Sequence, residues 1–228
     1  LNQTLDGDVV EAVNDGFIFK DKEFFSKKID IPFIEELILV TRYDREIGKS
    51  IAEIRDMNSF EVLHTYTPDM EKIYDKIDLT NDEFKNHRRD YGEARFSIRH
   101  PLITSKGELI FHGESPLIKI NLDSDIIWIN DVDAYHHSIN TDFEQNIYVP
   151  SYQRPFSKLV QKYVGKTSGD ENIYRDDTIN ILTQDNKLLF SKSVTEILIE
   201  NGYASRVFSQ SQFETDPIHL NDIQPVLK

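Results

Sequence analysis

From residue 34 onward, apolar and polar residues alternate over short stretches, and this alternation is typical of half-buried β-strands. The clearest example is 50–56, which lies between two further predicted strands at 36–42 and 60–66. Short strands are also predicted at 96–98, 101–104, 108–112, 117–122, 126–130, 177–182 and 187–190. Gly, Asp, Asn and Ser residues fill the gaps, as tight turns require. The pattern predicts an all-β chain of short antiparallel strands.

Three segments depart from this pattern. Residues 1–33 mix apolar and charged residues at helix-like spacing, and we expect a helical or irregular lead-in there. Residues 68–90 also carry apolar residues at helical spacing, with Thr80 or Asn81 as the expected N-cap, and predict one or two short inserted helices. A further short helix is predicted directly after Ser193, whose hydroxyl can cap it.

The predicted strands group into three similar units, at 34–66, 100–129 and 137–192. A complete unit holds two hairpins, and four short antiparallel strands are what a β-propeller blade contains. Propellers close with about 4–8 blades, so these units predict a partial β-propeller over 34–228. We therefore expect the chain to be a fragment of a longer protein.

A histidine stands at the start of successive units. His100 and His137 are each followed by an apolar stretch, a polar turn and a second apolar stretch, and His219 begins a further unit. The first strand of a blade lines the central channel, so a polar residue at its start lies near the channel mouth. Imidazole suits acid–base catalysis, metal binding and nucleophilic transfer. These histidines, with His136 beside His137, are therefore candidate site residues.

Charge and composition narrow the function classes. The formal charge of −14 argues against a nucleic-acid-binding surface, which needs clustered Lys and Arg. The absence of cysteine excludes disulfides and thiolate metal sites. No apolar stretch of about 18 residues occurs, so no membrane-spanning helix is predicted. Because the chain begins at Leu1 rather than Met, we expect a native segment upstream, with room for a signal peptide or membrane anchor.

Two histidine-containing stretches resemble signatures of the bacterial arylsulfotransferase family. The stretch 127–151, which contains His136 and His137, resembles a blade opening of that family. The stretch 216–223 resembles a second signature, in which an acidic residue precedes His-x-Asn. Shorter similarities occur at 39–44, 61–65 and 112–116. The resemblance extends over most of residues 34–228.

The resemblance implies a six-bladed propeller that moves a sulfuryl group from a phenolic sulfate ester to a phenol through a sulfated histidine. It implies no nucleotide sulfate donor, no other cofactor and no metal, and a periplasmic or envelope-facing location. His137, His219 and Asn221 match residues that bind the sulfate and phenolic oxygens, so we expect catalytic roles for them. We expect His136 and His100 to bind substrate. The family's arginine and nucleophilic histidine follow in later blades, so the chain is expected to carry part of the site.

Two other functions remain open at this point. One is a non-catalytic propeller that binds a ligand or acts as a scaffold in the cell envelope, because many propellers only bind. The other is a hydrolase or lyase whose metal is held by the same histidines. Each histidine also has a structural interpretation as a strand-end residue hydrogen-bonded to a turn, which is our expectation for His64 and His112.

Overall fold

The computed structural model describes residues 37–80, 84–164, 174–208 and 215–226. Within these ranges the chain is mostly β-structure with a few short helices, so the predicted all-β class is confirmed. The predicted lead-in over 1–33 and the expected N-cap Asn81 lie outside the described residues.

The described strands form three antiparallel sheets, one for each unit predicted from the sequence. Sheet A contains, in spatial order, Leu37–Asp44 (β1), Lys49–Asp56 (β2) and Val62–Tyr66 (β3). Sheet B contains Arg99–Ile103 (β4), Leu109–His112 (β5), Leu117–Ile120 (β6) and Ile126–Asn130 (β7). Sheet C contains Asn140–Thr141 (β8), Ile147–Tyr152 (β9), Asp177–Leu182 (β10) and Leu188–Ser193 (β11). Neighbouring strands are consecutive in sequence, so each sheet is a meander.

Sheet B is covered on both faces, which explains why its two central strands are apolar at nearly every position. Phe111 of β5 and Ile118 of β6 pack into a core that also contains Tyr66 of sheet A. Ile110 packs into a second core with Val149 of sheet C. Successive side chains of a strand point to opposite faces, so β5 and β6 contribute to both cores. Full burial of each such apolar side chain stabilises the fold by about 1.5–3 kcal/mol.

Two short helices, Met70–Tyr74 (α1) and His87–Asp90 (α2), lie between sheets A and B, in the segment predicted to be helical. Asp69 is the N-cap of α1, because its carboxylate accepts a backbone N–H of the first turn. The expected cap Thr80 instead lies in a turn, where it bonds to Asp78. None of the helices in the described ranges is long and apolar enough to cross a membrane.

Three more short helices flank sheet C. They are Lys158–Val164 (α3), Val194–Glu200 (α4) and Ala204–Phe208 (α5). Ser193 caps α4 as predicted, since its hydroxyl accepts the backbone N–H of Glu196. Neither α3 nor α5 is predicted by the sequence pattern. Val160 is the buried residue of α3 and Val207 that of α5, which is too little apolar surface to produce a helical period.

The strand predicted at 96–98 is wrong. Residues 96–98 are not part of any sheet, although Phe96 and Ile98 are both buried in the core that joins sheets A and B. The backbone N–H of Ile98 donates to the Ser50 hydroxyl instead of to a neighbouring strand. The alternation at 96–98 therefore reflects burial of alternate side chains without strand pairing.

Residues 215–226 lie along sheet C without forming a strand of their own. The backbone N–H of Ser138 donates to the carbonyl of Asn221 at 3.2 Å. The Asn140 amide donates to the carbonyl of Ile223 at 2.9 Å. These contacts place His219, which belongs to this segment, beside the start of sheet C.

Candidate active site: a histidine cluster at one end of sheets B and C

The three histidines at the starts of the predicted units share an uncommon backbone conformation. His100, His137 and His219 have φ angles of 44°, 56° and 49°. These values lie in the left-handed region, which few residues other than glycine adopt. A conformation repeated at three corresponding positions is expected of equivalent positions in a repeated unit. Such backbone strain also concentrates at functional sites.

Five of the seven histidines come together in space. His137 is central, because its ring centroid lies 4.9 Å from that of His136, 5.6 Å from His219 and 6.5 Å from His100. The ring of His112 lies 6.1 Å from that of His100. We call these five residues the histidine cluster.

A cavity of about 420 Å³ opens beside the histidine cluster, and its wall carries three arginines, the acidic Asp90 and Glu114, and aromatic rings. Every member of the cluster except His219 lines it. Arg99, Arg154 and Arg175 contribute guanidinium groups, and Tyr91 and Tyr152 contribute aromatic rings. The size lies within the range of small-molecule sites. The cavity can therefore accept a small, planar anionic molecule.

His112 has a larger part in the site than the strand-end role expected from the sequence. It is fully buried, and its Nε2 lies 2.7 Å from the carbonyl oxygen of His137, to which it donates. Its Nδ1 accepts the backbone N–H of Glu114 at 3.2 Å. Burial lowers the pKa of His112 to about 4, against the effect of the His137 hydrogen bond. A neutral His112 therefore holds the backbone of His137 in place.

His136 lies between a carboxylate and the central histidine. Its side chain is buried, and its Nδ1 lies 2.7 Å from Nδ1 of His137. On the other side, its Nε2 lies 3.3 Å from Oδ1 of Asp177, the first residue of β10. Its ring also stacks on Tyr152, with centroids 4.2 Å apart. These contacts fix the orientation of the His136 ring.

Burial favours the neutral imidazole at His137 and His100 as well as at His112. Burial, and then the neighbouring rings of His136, His219 and His100, lower the pKa of His137. Burial, followed by the nearby Arg99, lowers the pKa of His100. A neutral imidazole keeps an unshared electron pair on one ring nitrogen, and a base or nucleophile needs such a pair.

His219 lies at the solvent side of the cluster, with its side chain 59% exposed. Its Nδ1 lies 2.8 Å from a carboxylate oxygen of Asp216. Arg175 lies 3.6 Å from the same carboxylate and 5.6 Å from the centre of the Tyr152 ring. Asp216 therefore joins His219 to an arginine of the cavity wall.

The structure brings four of the five predicted site residues together and leaves one side chain apart. His100, His136, His137 and His219 are members of the histidine cluster. Asn221 contributes its backbone carbonyl to the contact with Ser138, and the residue is exposed. The catalytic role of the Asn221 side chain stays a prediction.

The charged groups that surround these histidines were not predicted from the sequence. Asp177 is the first residue of β10 and was predicted only as the start of a strand, Arg175 lies in the polar stretch before it, and Arg99 directly precedes His100. The adjacency of Arg99 and His100 was the one local signal available. Among the described residues, no group of three or more His, Cys, Asp or Glu side chains is arranged to hold a metal ion.

Comparison with known proteins identifies the region that contains sheets B and C. The model of the family described as Arylsulfotransferase (ASST) matches residues 100–228, which is more than half of the 228 residues. No curated protein matches the chain. The match includes the whole histidine cluster and the strands that position it. The chain therefore belongs to the arylsulfotransferase (ASST) family.

Proposed function

We propose that this protein transfers a sulfuryl group from an aryl sulfate ester to a phenol, by way of a sulfated histidine and without a nucleotide sulfate donor. The family membership supports the reaction class. The observation that carries the proposal is the histidine cluster beside a cavity lined by three arginines. In the proposal, His137 and His219 face the sulfate and phenolic oxygens.

The charge of the cavity wall supports an anionic substrate. Sulfuryl transfer develops negative charge on the equatorial and leaving oxygens, which guanidinium and N–H donors stabilise. Arg99 forms an ion pair with Glu114, and Arg175 lies near Asp216, so that each guanidinium is held at the wall. An aryl sulfate carries one compact anionic group, which arginine side chains of the wall can bind through charge-assisted hydrogen bonds.

The aromatic part of the wall supports an aryl group. Tyr91 and Tyr152 line the same cavity as the arginines. Offset or edge-to-face contacts with an aromatic ring contribute about 0.5–1.5 kcal/mol beyond area burial. Desolvation raises the pKa of both tyrosines, so both stay neutral and present an apolar ring near pH 7.

The protonation of the cluster supports a histidine that carries the sulfuryl group. In the first step a ring nitrogen uses its electron pair to form an N–S bond while the S–O bond to the departing phenol breaks. In the second step the acceptor phenol gives its O–H proton to a neighbouring imidazole and its oxygen forms a new O–S bond, while the N–S bond breaks and the nitrogen keeps the electron pair. The lowered pKa values of His100 and His137 keep unshared electron pairs available at neutral pH, both for attack on sulfur and for accepting the proton of the acceptor.

We also propose that the three sheets are blades of a β-propeller. Each sheet is a meander, and sheet B packs one face on sheet A and the other on sheet C. Face-to-face stacking of meanders about an axis is the packing of propeller blades. The histidine cluster then lies near the channel mouth, where the first strands of blades B and C begin. The periplasmic or envelope-facing location is proposed from the family alone.

The proposal is tested on the full-length protein with p-nitrophenyl sulfate as donor and phenol as acceptor, by following release of nitrophenolate. We expect turnover that depends on the acceptor, and a loss of at least about 10²-fold in His219→Ala. His64→Ala is the matched control, because His64 is partly exposed and its Nε2 contacts the carbonyl of Leu122, away from the cluster. Full turnover in His219→Ala contradicts the proposed role of His219. Binding of the aryl sulfate without any turnover contradicts the enzyme and supports a binding propeller.

A further inference from the structure

His137 has one ring nitrogen in a hydrogen bond and one directed elsewhere. Its Nδ1 lies 2.7 Å from Nδ1 of His136, and two ring nitrogens at this distance share one proton between them. Within the described part of the chain, no side chain forms a hydrogen bond with Nε2 of His137. In an imidazole, Nε2 points away from the partner of Nδ1, and the His137 ring lines the cavity. The protonation of Nε2 therefore determines what His137 offers to a ligand.

Asp177 determines the tautomer of His136. The carboxylate of Asp177 is buried, and its Oδ1 lies 3.3 Å from Nε2 of His136. The contact is not aligned as a hydrogen bond, and Nε2 of His136 is buried without a hydrogen-bond partner among the described residues. A ring nitrogen with its electron pair toward a carboxylate is repelled, whereas an N–H is attracted. The proton of neutral His136 is therefore on Nε2.

The tautomer of His136 determines the tautomer of His137. If Nε2 of His136 carries the proton, its Nδ1 can only accept, so the proton between the two rings is on Nδ1 of His137. Neutral His137 then keeps an unshared electron pair on Nε2. We propose that Asp177 is a positioning residue that acts through His136 and presents this electron pair of His137 to the cavity.

The same carboxylate also holds the segment that carries His219. Oδ2 of Asp177 accepts the backbone N–H of Leu220, the residue after His219, at 3.0 Å. One side chain therefore orients His136 with one oxygen and anchors the neighbour of His219 with the other. Its place at the first position of β10 fixes both contacts to the sheet.

The inference deepens the proposed function and rests on it for the chemistry alone. A neutral His137 with this tautomer accepts a hydrogen bond at Nε2, so it faces the hydroxyl of the acceptor phenol rather than a sulfuryl oxygen. As the acceptor reacts, its O–H proton passes to Nε2 and its oxygen forms the new bond to sulfur. The N–S bond of the sulfated histidine breaks, and its nitrogen keeps the electron pair.

The experiment is long-range ¹H–¹⁵N NMR of the histidine rings in the ¹⁵N-labelled protein, near pH 7.5. We expect His136 to be protonated at Nε2 and His137 at Nδ1. The variants His136→Phe and His137→Gln assign the signals by their loss. A wild-type His137 protonated at Nε2 overturns the inference, and this measurement needs no variant at Asp177.

Asp177→Asn keeps the shape of the side chain and should reverse the tautomers of both His136 and His137. The N–H of Leu220 needs an oxygen, so the asparagine oxygen pairs with it and the amide group turns toward His136. An N–H facing Nε2 of His136 requires an electron pair there, which moves the shared proton and leaves His137 protonated at Nε2. We expect the switched tautomers in the spectrum and a loss of about 10²–10³-fold in transfer rate. An unchanged His137 tautomer in a folded Asp177→Asn protein contradicts the inference.

Two further variants separate this role from a structural one. Asp142→Asn changes another hydrogen-bonded carboxylate of sheet C, which bonds to Asn146 and Tyr148 outside the cluster, and should leave both tautomers unchanged. His136→Phe keeps a ring against Tyr152 but removes the nitrogen that accepts the proton of His137 Nδ1. His137 should then no longer be held in a single tautomer. If the tautomers are as expected but there is no turnover, the proposed function is wrong and the inference stands. If there is turnover but His137 is protonated at Nε2, the positioning role of Asp177 is wrong and the proposed function stands.

Discussion

The two ends of strands β9 and β10 bury polar groups in opposite ways. At one end lies the histidine cluster, and at the other the turn after β10 packs on sheet B. There the carbonyl of Gln184 accepts the indole N–H of Trp128 at 3.0 Å, and Lys119 lies 3.1 Å from its amide oxygen. The amide of Asn130 donates to Asn186 at 2.6 Å. We call these contacts of Gln184 and Asn186 with sheet B the Gln184 junction.

The contrast is one of hydrogen-bond satisfaction. At the Gln184 junction the buried Lys119 also pairs with Glu108 at 2.6 Å, and its contacts are complete. In the described residues, the buried side-chain atoms without a partner are instead His136 Nε2, Asp176 Oδ2, Asn180 Oδ1 and Asp216 Oδ1. All four lie in or near the first half of β10 or at the histidine cluster. Unsatisfied buried groups are costly, and their concentration at this end agrees with the candidate site placed there.

The largest expected effect sharpens this comparison on the functional side. His137→Ala should lower the transfer rate by about 10²–10⁴-fold, because it removes the central base or nucleophile of the cluster. Its stability should change little, since His137 lies in a strained backbone conformation at the cavity wall. Initial rates with an aryl sulfate, together with urea unfolding, measure both. A stable variant that retains its rate argues against the cluster as the site.

The Gln184 junction is tested by the substitution Lys119→Met. The substitution removes the ion pair with the partly exposed Glu108, which keeps its bond from Thr104, and the amide contact of Gln184, so we expect about 1.5–3 kcal/mol of destabilisation. Urea unfolding measures it, and the transfer rate of the folded protein should stay near that of wild type. Lys192→Met is the control, because the Lys192–Glu200 pair lies on the surface and should contribute little. Equal stability of the two variants contradicts the assignment of the Gln184 junction.

The pH dependence of stability tests the burial of His112. Its folded-state pKa of about 4 lies below the ordinary value of 6.5, so the unfolded chain binds more protons between these values. Stability is therefore lost as the pH falls through this window, because protonation of Nδ1 breaks the bond from Glu114. Between pH 7 and pH 4, wild type should lose about 3 kcal/mol more than His112→Gln.

The stability of wild type must be compared with that of His112→Gln, because a second buried group titrates in the same pH range. Burial raises the pKa of Asp176 to about 6, which has the opposite sign and stabilises the fold as the pH falls below 6. The Asp176 contribution is common to wild type and His112→Gln and cancels in the difference. Parallel stability curves for the two proteins show that His112 titrates normally and is not desolvated.

The smallest expected effect returns to the Gln184 junction. Trp128→Phe keeps an aromatic ring against the core of sheets B and C and removes the indole N–H. The carbonyl of Gln184 still faces Lys119, at 3.3 Å, so the loss should be about 1 kcal/mol. Thermal unfolding measures it. A loss of several kcal/mol indicates that packing, rather than this hydrogen bond, holds the two sheets together.

Prediction from the sequence was most successful where the signal was periodic and local. The meanders of sheets B and C lie in the predicted units, and the helix after Ser193 starts at the predicted cap. It failed at 96–98, where burial of Phe96 and Ile98 produces the alternation of a strand without a pairing partner. Alternation records which side chains are buried and contains no information on what the backbone pairs with.

The sequence by itself predicted repeated β-units with His100, His137 and His219 at their starts. Only the tertiary structure decided that His112 supports His137, and that Asp177 joins His136 to the segment after His219. The physical reason is the range of the forces involved. Side-chain period follows from the geometry of one strand, whereas a hydrogen bond between residues 25 or 43 positions apart depends on how whole sheets pack.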